Sequence, residues 1–251
     1  MFENFLPDGV SPTILALVCV SALVAGLARG FSGFGAALIF VPVASALVGP
    51  KLAVPVLLVI DATMALGMLR DGVRKSDLRS VAYMSAGAVI GVPAGAYVLG
   101  VADPIALRWS IVILIGALLA LIMSGWRYRG AGSPGLTIIV GMISGLFSGA
   151  AQVGGPPVVA FWLGRGGDHR VMRANIVVYF AVSTALTVAS YFYGGLFTRD
   201  VLALSLVAAP LYGVGLGVGS LAFGRTDEAL FRRNCFALIA LSALLGMPVW
   251  G

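Results

Sequence analysis

The sequence predicts an all-α polytopic membrane protein built as two inverted repeats of five helical segments. The first two segments of each repeat are expected to form a broken-helix or re-entrant hairpin. Of 251 residues, 60% are hydrophobic and 10% charged, with a mean hydropathy of +1.04. That leaves too little polar surface to coat a water-soluble globule. Residues 91–118 reappear as residues 215–242, with Gly91, Gly95, Gly100, Asp103 and Arg108 falling on Gly215, Gly219, Gly224, Asp227 and Arg232, each 124 residues on. Such a duplication inside a membrane protein points to transport.

Ten apolar segments, A to J, follow at 11–28, 33–49, 52–69, 79–100, 105–125, 135–149, 156–164, 174–193, 201–223 and 232–249. A crossing needs about 20 apolar residues, which C, D, E, H, I and J approach. A and B are a little short, F and G shorter still. Their junctions are glycine-rich, GLARGFSGFG at 26–35 and GLFSGAAQVGGPP at 145–157, as expected of interrupted spans. The repeats divide the chain into residues 1–129 and 130–251, together one membrane domain.

The formal charge of +6 is a topology signal, because short cytoplasmic loops collect Lys and Arg. Arg70, Arg74, Lys75 and Arg79 lie between C and D, and Arg127 and Arg129 between E and F. Arg165, Arg170 and Arg173 lie between G and H, and Arg225, Arg232 and Arg233 between I and J. These are twelve of the sixteen basic residues. All face the cytoplasm if A plus B, and F plus G, each return to their starting side. Both termini are then outside, periplasmic in a bacterial inner (plasma) membrane, and the odd count per half makes the repeats inverted. No stripe of basic residues interleaved with aromatics exists to follow a nucleic acid. Glu3 and Asp8 precede the first apolar run with no Lys or Arg, so no cleavable signal peptide is expected. Cys19 and Cys235 lie in apolar stretches with neither redox nor metal spacing, and no metal or cofactor is expected.

The chemistry is expected where the two glycine-rich tips meet. Candidate substrate-binding residues are Arg29, Ser32, Gly33, Phe34 and Gly35 at the first, and Ser148, Gly149, Gln152, Gly154, Gly155 and Pro156 at the second. Gly26, Gly30 and Gly145 extend the two clusters, and Pro156 and Pro157 suit the first turn of a new helix. If B and G begin at the tips, each aims free N–H groups and roughly +0.5 of a charge at the middle of the bilayer, an anion site. The alternative for any single glycine is small-residue packing between membrane helices.

Asp61 and Arg29 lie away from every loop, where an isolated charge costs at least about 2.5 kcal/mol. They pair with each other, or Arg29 meets substrate and Asp61 carries a coupling proton. Thr63 and Thr184 match at 121 residues and could line the path, with back-bonding to their own helix as the alternative. Asn175 enters segment H as a further path-lining candidate, with loop capping as its alternative. GFSG at 30–33 has the form found around intramembrane serine nucleophiles, but the one histidine, His169, sits in a loop sequence, RGGDHR. A nucleophilic serine needs a base within reach, so the expectation is a protein that is not an enzyme.

The residues GLARGFSGFGAALIFVP and GMISGLFSGAAQVGGPPVVAFWL, each opening a half and followed by three long apolar segments, resemble the TauE/SafE sulfite exporter family over nearly the whole chain. The resemblance implies export or uptake of small anions such as sulfite, sulfoacetate and related organic acids across the inner membrane. The sequence departs from the family pattern in having GFGAAL where three successive glycines are common, and in carrying Arg29 within the motif. The resulting expectation is a secondary transporter, an exporter of sulfur-containing or organic anions, working by alternating access. An anion channel is the runner-up. No Walker motif is present to couple ATP. The expected partners are a small anionic substrate, the lipid bilayer, a coupling proton or other ion and, as an oligomer, a homodimer; no nucleic acid is among them.

Overall fold

The computed structural model describes residues 10–32, 35–65, 73–126, 128, 130, 133–164, 168–222 and 228–249, without the side chains of Ser32, residues 63–65, His169 and residues 228–232. Among these are ten helices of ten residues or more and no strand. They are α1 (Pro12–Ser32), α2 (Ala36–Val48), α3 (Pro50–Ala65), α4 (Leu78–Val101) and α5 (Pro104–Met123), then α6 (Pro134–Ala151), α7 (Gly155–Gly164), α8 (His169–Tyr193), α9 (Arg199–Ala222) and α10 (Glu228–Gly246). They correspond in order to segments A to J.

Six of them, α1, α4, α5, α6, α8 and α9, are long and apolar enough to cross a membrane. Large apolar side chains such as Val89, Ile90, Tyr97, Ile113, Leu206 and Leu221 are exposed, an outer surface suited to lipid and not to water. The expectation that A and F are short is corrected. α1 runs for 21 residues through Gly26 and Gly30, and α6 for 18 through Gly145 and Gly149. These glycines are helical, and the interruptions fall just after them. The partners are the short members: α2 has 13 residues and α7 has 10, about 20 and 15 Å of helix. Neither can traverse a hydrocarbon layer of about 30 Å.

Helix starts follow from capping. Ser11 accepts from the Ile14 N–H, Asp77 from Arg79 and Ser80, and Asp103 from Ile105 and Ala106. Ser133 accepts from Leu136, Asp168 from Arg170 and Thr198 from Val201. Each satisfies orphan donors that a helix start leaves open.

The chain forms two compact units that interleave its halves: one comprises Met1–Ile60, Ala102–Leu119 and Gly195–Gly251, the other Asp61–Val101 and Ala120–Gly194. In the first, α1 packs on α9 and α2, and α2 on α10. A Cβ on Gly26 would land on the Tyr212 carbonyl oxygen, and one on Gly30 on that of Leu216; reciprocally, Gly215 faces the Leu23 carbonyl and Gly219 that of Leu27. The backbones themselves are in contact, which only small residues permit. Residues 36–42 are all buried, so α2 presents no continuous lipid face. At the far end of α10, the Arg108 guanidinium donates to the carbonyls of Gly246 and Met247 at 3.4 and 3.3 Å, placing a cation on a helix C-terminus.

The second unit is built on α4 against α6, with α8 packed on both and α7 on α6 and α8. Gly87, Gly91 and Gly95 of α4 face the carbonyls of Ile138, Met142 and Leu146, and Gly141 and Gly149 of α6 face those of Met84 and Val92. Met84, Ala88, Val92, Val158, Phe161, Trp162 and Tyr179 form its core. The Trp162 indole N–H reaches Ser80 Oγ at 3.3 Å, so the polar edge of the ring is satisfied while its body is buried.

Candidate functional site

The two short helices open on glycine, as α3 does behind Gly49. α2 starts on Gly35, in the left-handed region at φ 102, with no side-chain cap. Its first turn, Ala36, Ala37 and Leu38, is buried. Gly33 and Phe34 lie outside the described residues, as does the side chain of Ser32. Arg29 is half-buried in the last turn of α1, where a cation offsets the negative end of the helix.

In the other unit, α7 starts after Gly154, and Pro156 and Pro157 remove two of the four donors a helix start would offer. The N–H groups of Gly154 and Gly155 are the two that stay, and neither makes a hydrogen bond among the described residues. Ser144 Oγ donates to the Gly154 carbonyl at 2.7 Å. A Cβ on Gly154 would collide with Ser148 Oγ, so no other residue fits this turn unchanged. Gln152 terminates α6 at φ 59, the one non-glycine residue with positive φ among the described residues. Its backbone N–H bonds the Ser148 carbonyl at 2.9 Å, and its side-chain amide donates to the same oxygen at 3.0 Å.

The candidate residues therefore separate by environment. Ser148, Gly149, Gln152, Gly154, Gly155 and Pro156 come together at the α6–α7 turn, although the Cα of Gly149 is turned toward the α4 backbone at Val92. Gly26, Gly30 and Gly145 serve helix packing in the same way. Asn175 is buried and its Oδ1 accepts the Asp77 N–H at 2.7 Å, which is a cap on the loop before α4. Asp61 is half-buried in α3 and Thr184 half-buried in α8; the side chain of Thr63 lies outside the described residues.

Three residues that bond α6 or the turn after it carried no signal in the sequence. Tyr191 donates to the Gly149 carbonyl at 2.6 Å, Tyr179 to the Gly141 carbonyl at 3.3 Å, and Ser144 ties the turn as above. The Tyr191 hydroxyl lies near the Gln152 side chain, and that of Tyr179 near Ser144 and Ser183. Both tyrosines are wholly buried.

Six membrane-length helices, an apolar exterior and two short helices opening on glycine define a multi-pass helical membrane protein with donor-bearing turns inside its units. Residues 18–245 match the family model described as Sulfite exporter TauE/SafE, and the chain belongs to that family. The family is one of membrane transporters of sulfite-type anions. No curated protein matches the chain, and no solved structure does.

Proposed function

We propose that the protein is a secondary transporter, working as an exporter, of small sulfur-containing or organic anions such as sulfite and sulfoacetate in a bacterial inner membrane. The reading that the glycine-rich turns bind the substrate is supported above all by one observation. α2 and α7 are short and open on glycine, α2 with no side-chain cap, whereas α1, α4, α5, α6, α8 and α9 are capped by Ser, Thr or Asp; the longer α3 likewise starts directly behind a glycine, Gly49. A helix start left without its own acceptor is a ready donor set for an anion. Alternating access around these turns is the mechanism we assign, with Arg29 drawing the anion to the first tip. The membrane potential, negative inside, favours outward movement of an anion. We assign proton coupling to the carboxylate of Asp61, within α3. The cytoplasmic side is assigned to the basic loops and both termini to the outside.

The test is thermal stabilisation of the purified protein by sulfite, sulfate, sulfoacetate, thiosulfate and simple carboxylates, with Arg29→Ala in parallel. A bound anion raises the melting temperature with dose. The reading expects at least one anion of the panel to do so, and Arg29→Ala to weaken its apparent affinity. A flat response to the whole panel removes the site. Counterflow in proteoliposomes then separates a carrier, whose exchange accelerates with substrate on the far side, from a pore.

A further inference from the structure

A helix that ends beside an anion site is a liability. The C-terminus of α6, at Ala151, lies four residues before the start of α7. Its last carbonyls carry roughly half a negative charge in total, which would oppose the anion that the Gly154 and Gly155 N–H groups attract. Three carbonyls near that end, those of Phe147, Ser148 and Gly149, are covered. The Phe147 oxygen takes the Val153 N–H at 3.3 Å. The Ser148 oxygen takes both the backbone and side-chain N–H of Gln152. The Gly149 oxygen takes the Tyr191 hydroxyl.

We propose that Gln152 and Tyr191 are positioning residues that quench the carbonyl end of α6, so that the turn offers an anion its N–H donors without an opposing negative end. Gln152 itself makes no contact with the anion; its side chain is turned back on its own helix. This accounts for a glutamine at φ 59, where glycine or asparagine is the residue free of strain. The other unit meets the same need by different means: α1 ends with Arg29 in its last turn. That explains why Arg29 has no charged counterpart at the second tip. The inference rests on the proposed transport of anions by these turns.

The experiment compares wild type with Gln152→Gly, Gln152→Glu and Tyr191→Phe, by melting temperature without ligand and by the apparent Kd for sulfite and for acetate from anion-dependent melting shifts. Gln152→Gly relieves the left-handed backbone and keeps the backbone cap, so its ligand-free melting temperature should equal or exceed that of wild type while its Kd for sulfite rises at least about fivefold. Gln152→Glu replaces a donor with a negative charge and should raise the Kd more than tenfold. Tyr191→Phe should raise it about fivefold. The loss should be larger for doubly charged sulfite than for acetate, which a purely structural role would not produce. If wild type binds sulfite and the variants keep its Kd while only their melting temperatures change, the inference is overturned and the transport reading stands. If wild type responds to no anion, both fall.

Discussion

Gly91 of α4 meets the carbonyl of Met142 so closely that a Cβ could not be added, and 124 residues on Gly215 of α9 meets the carbonyl of Leu23 in the same way. The two acceptors are themselves 119 residues apart. Gly95 with Leu146 and Gly219 with Leu27 repeat the relation at the same two offsets. The duplication read from glycine spacing is thus a duplicated contact, in which the fourth helix of one half packs against the first helix of the other.

Glycines in these seams should be far less replaceable than glycines on the surface. Gly95→Leu pushes a side chain into the Leu146 backbone and is expected to lose about 3 kcal/mol or more, at the upper end of overpacking. Gly116 of α5 has nothing within 4 Å of an added Cβ, and Gly116→Ala should gain roughly 0.5–1 kcal/mol from helix propensity. Thermal unfolding in detergent measures both. Equal behaviour of the two would mean that the seams are looser than described.

Neither half of the chain should fold by itself. A piece covering residues 1–129 holds α1 without α9 and α4 without α6, and residues 130–251 hold the complements. Expressed alone, each should be degraded or aggregate; expressed together, they should co-purify and recover anion-dependent stabilisation. A stable, monodisperse single half would contradict the packing of α1 on α9 and of α4 on α6.

Asn175 supports the start of α4 through a bond spanning 98 residues of sequence. Asn175→Ala should destabilise the protein by about 1 kcal/mol, typical of a lost cap. Asn175→Asp keeps an acceptor for the Asp77 N–H and should retain most of the stability. If both variants melt like wild type, the cap contributes nothing.

The assigned orientation predicts which positions a membrane-impermeant thiol reagent reaches from outside. With the free cysteines Cys19 and Cys235 replaced by alanine, single cysteines at the exposed positions Lys51 and Arg199 should label in intact cells. Cysteines at Arg74 and Arg173, also exposed, should label only after permeabilisation. The reverse pattern would invert the topology derived from the basic loops.

What the sequence makes legible depends on how local each cause is. α2 and α7 lie within a few residues of their expected bounds because glycine and proline punctuate both ends, as in VGGPP before α7. α1 and α6 run four and two residues past the expected ends of segments A and F, because glycine weakens a helix in water, whereas Gly30 and Gly149 strengthen one here by letting a neighbouring backbone approach. Gln152 was legible as a tip residue; its inward-turned amide was not, since that follows from its dihedral angles. Tyr179 and Tyr191 look like ordinary apolar-helix residues in the sequence. Their roles arise from partners 38 and 42 residues away, which no local pattern encodes.

The pairing of α1 with α9 has a cost during biosynthesis. Gly26 leaves the ribosome 189 residues ahead of Gly215, and at about 5–20 residues per second the gap lasts roughly 10–40 s. Through that interval the earliest span waits in lipid with a bare main-chain furrow, open to any passing small-faced helix. The vulnerable moment for this protein is therefore its own insertion, and translation speed between the two partners becomes a determinant of yield.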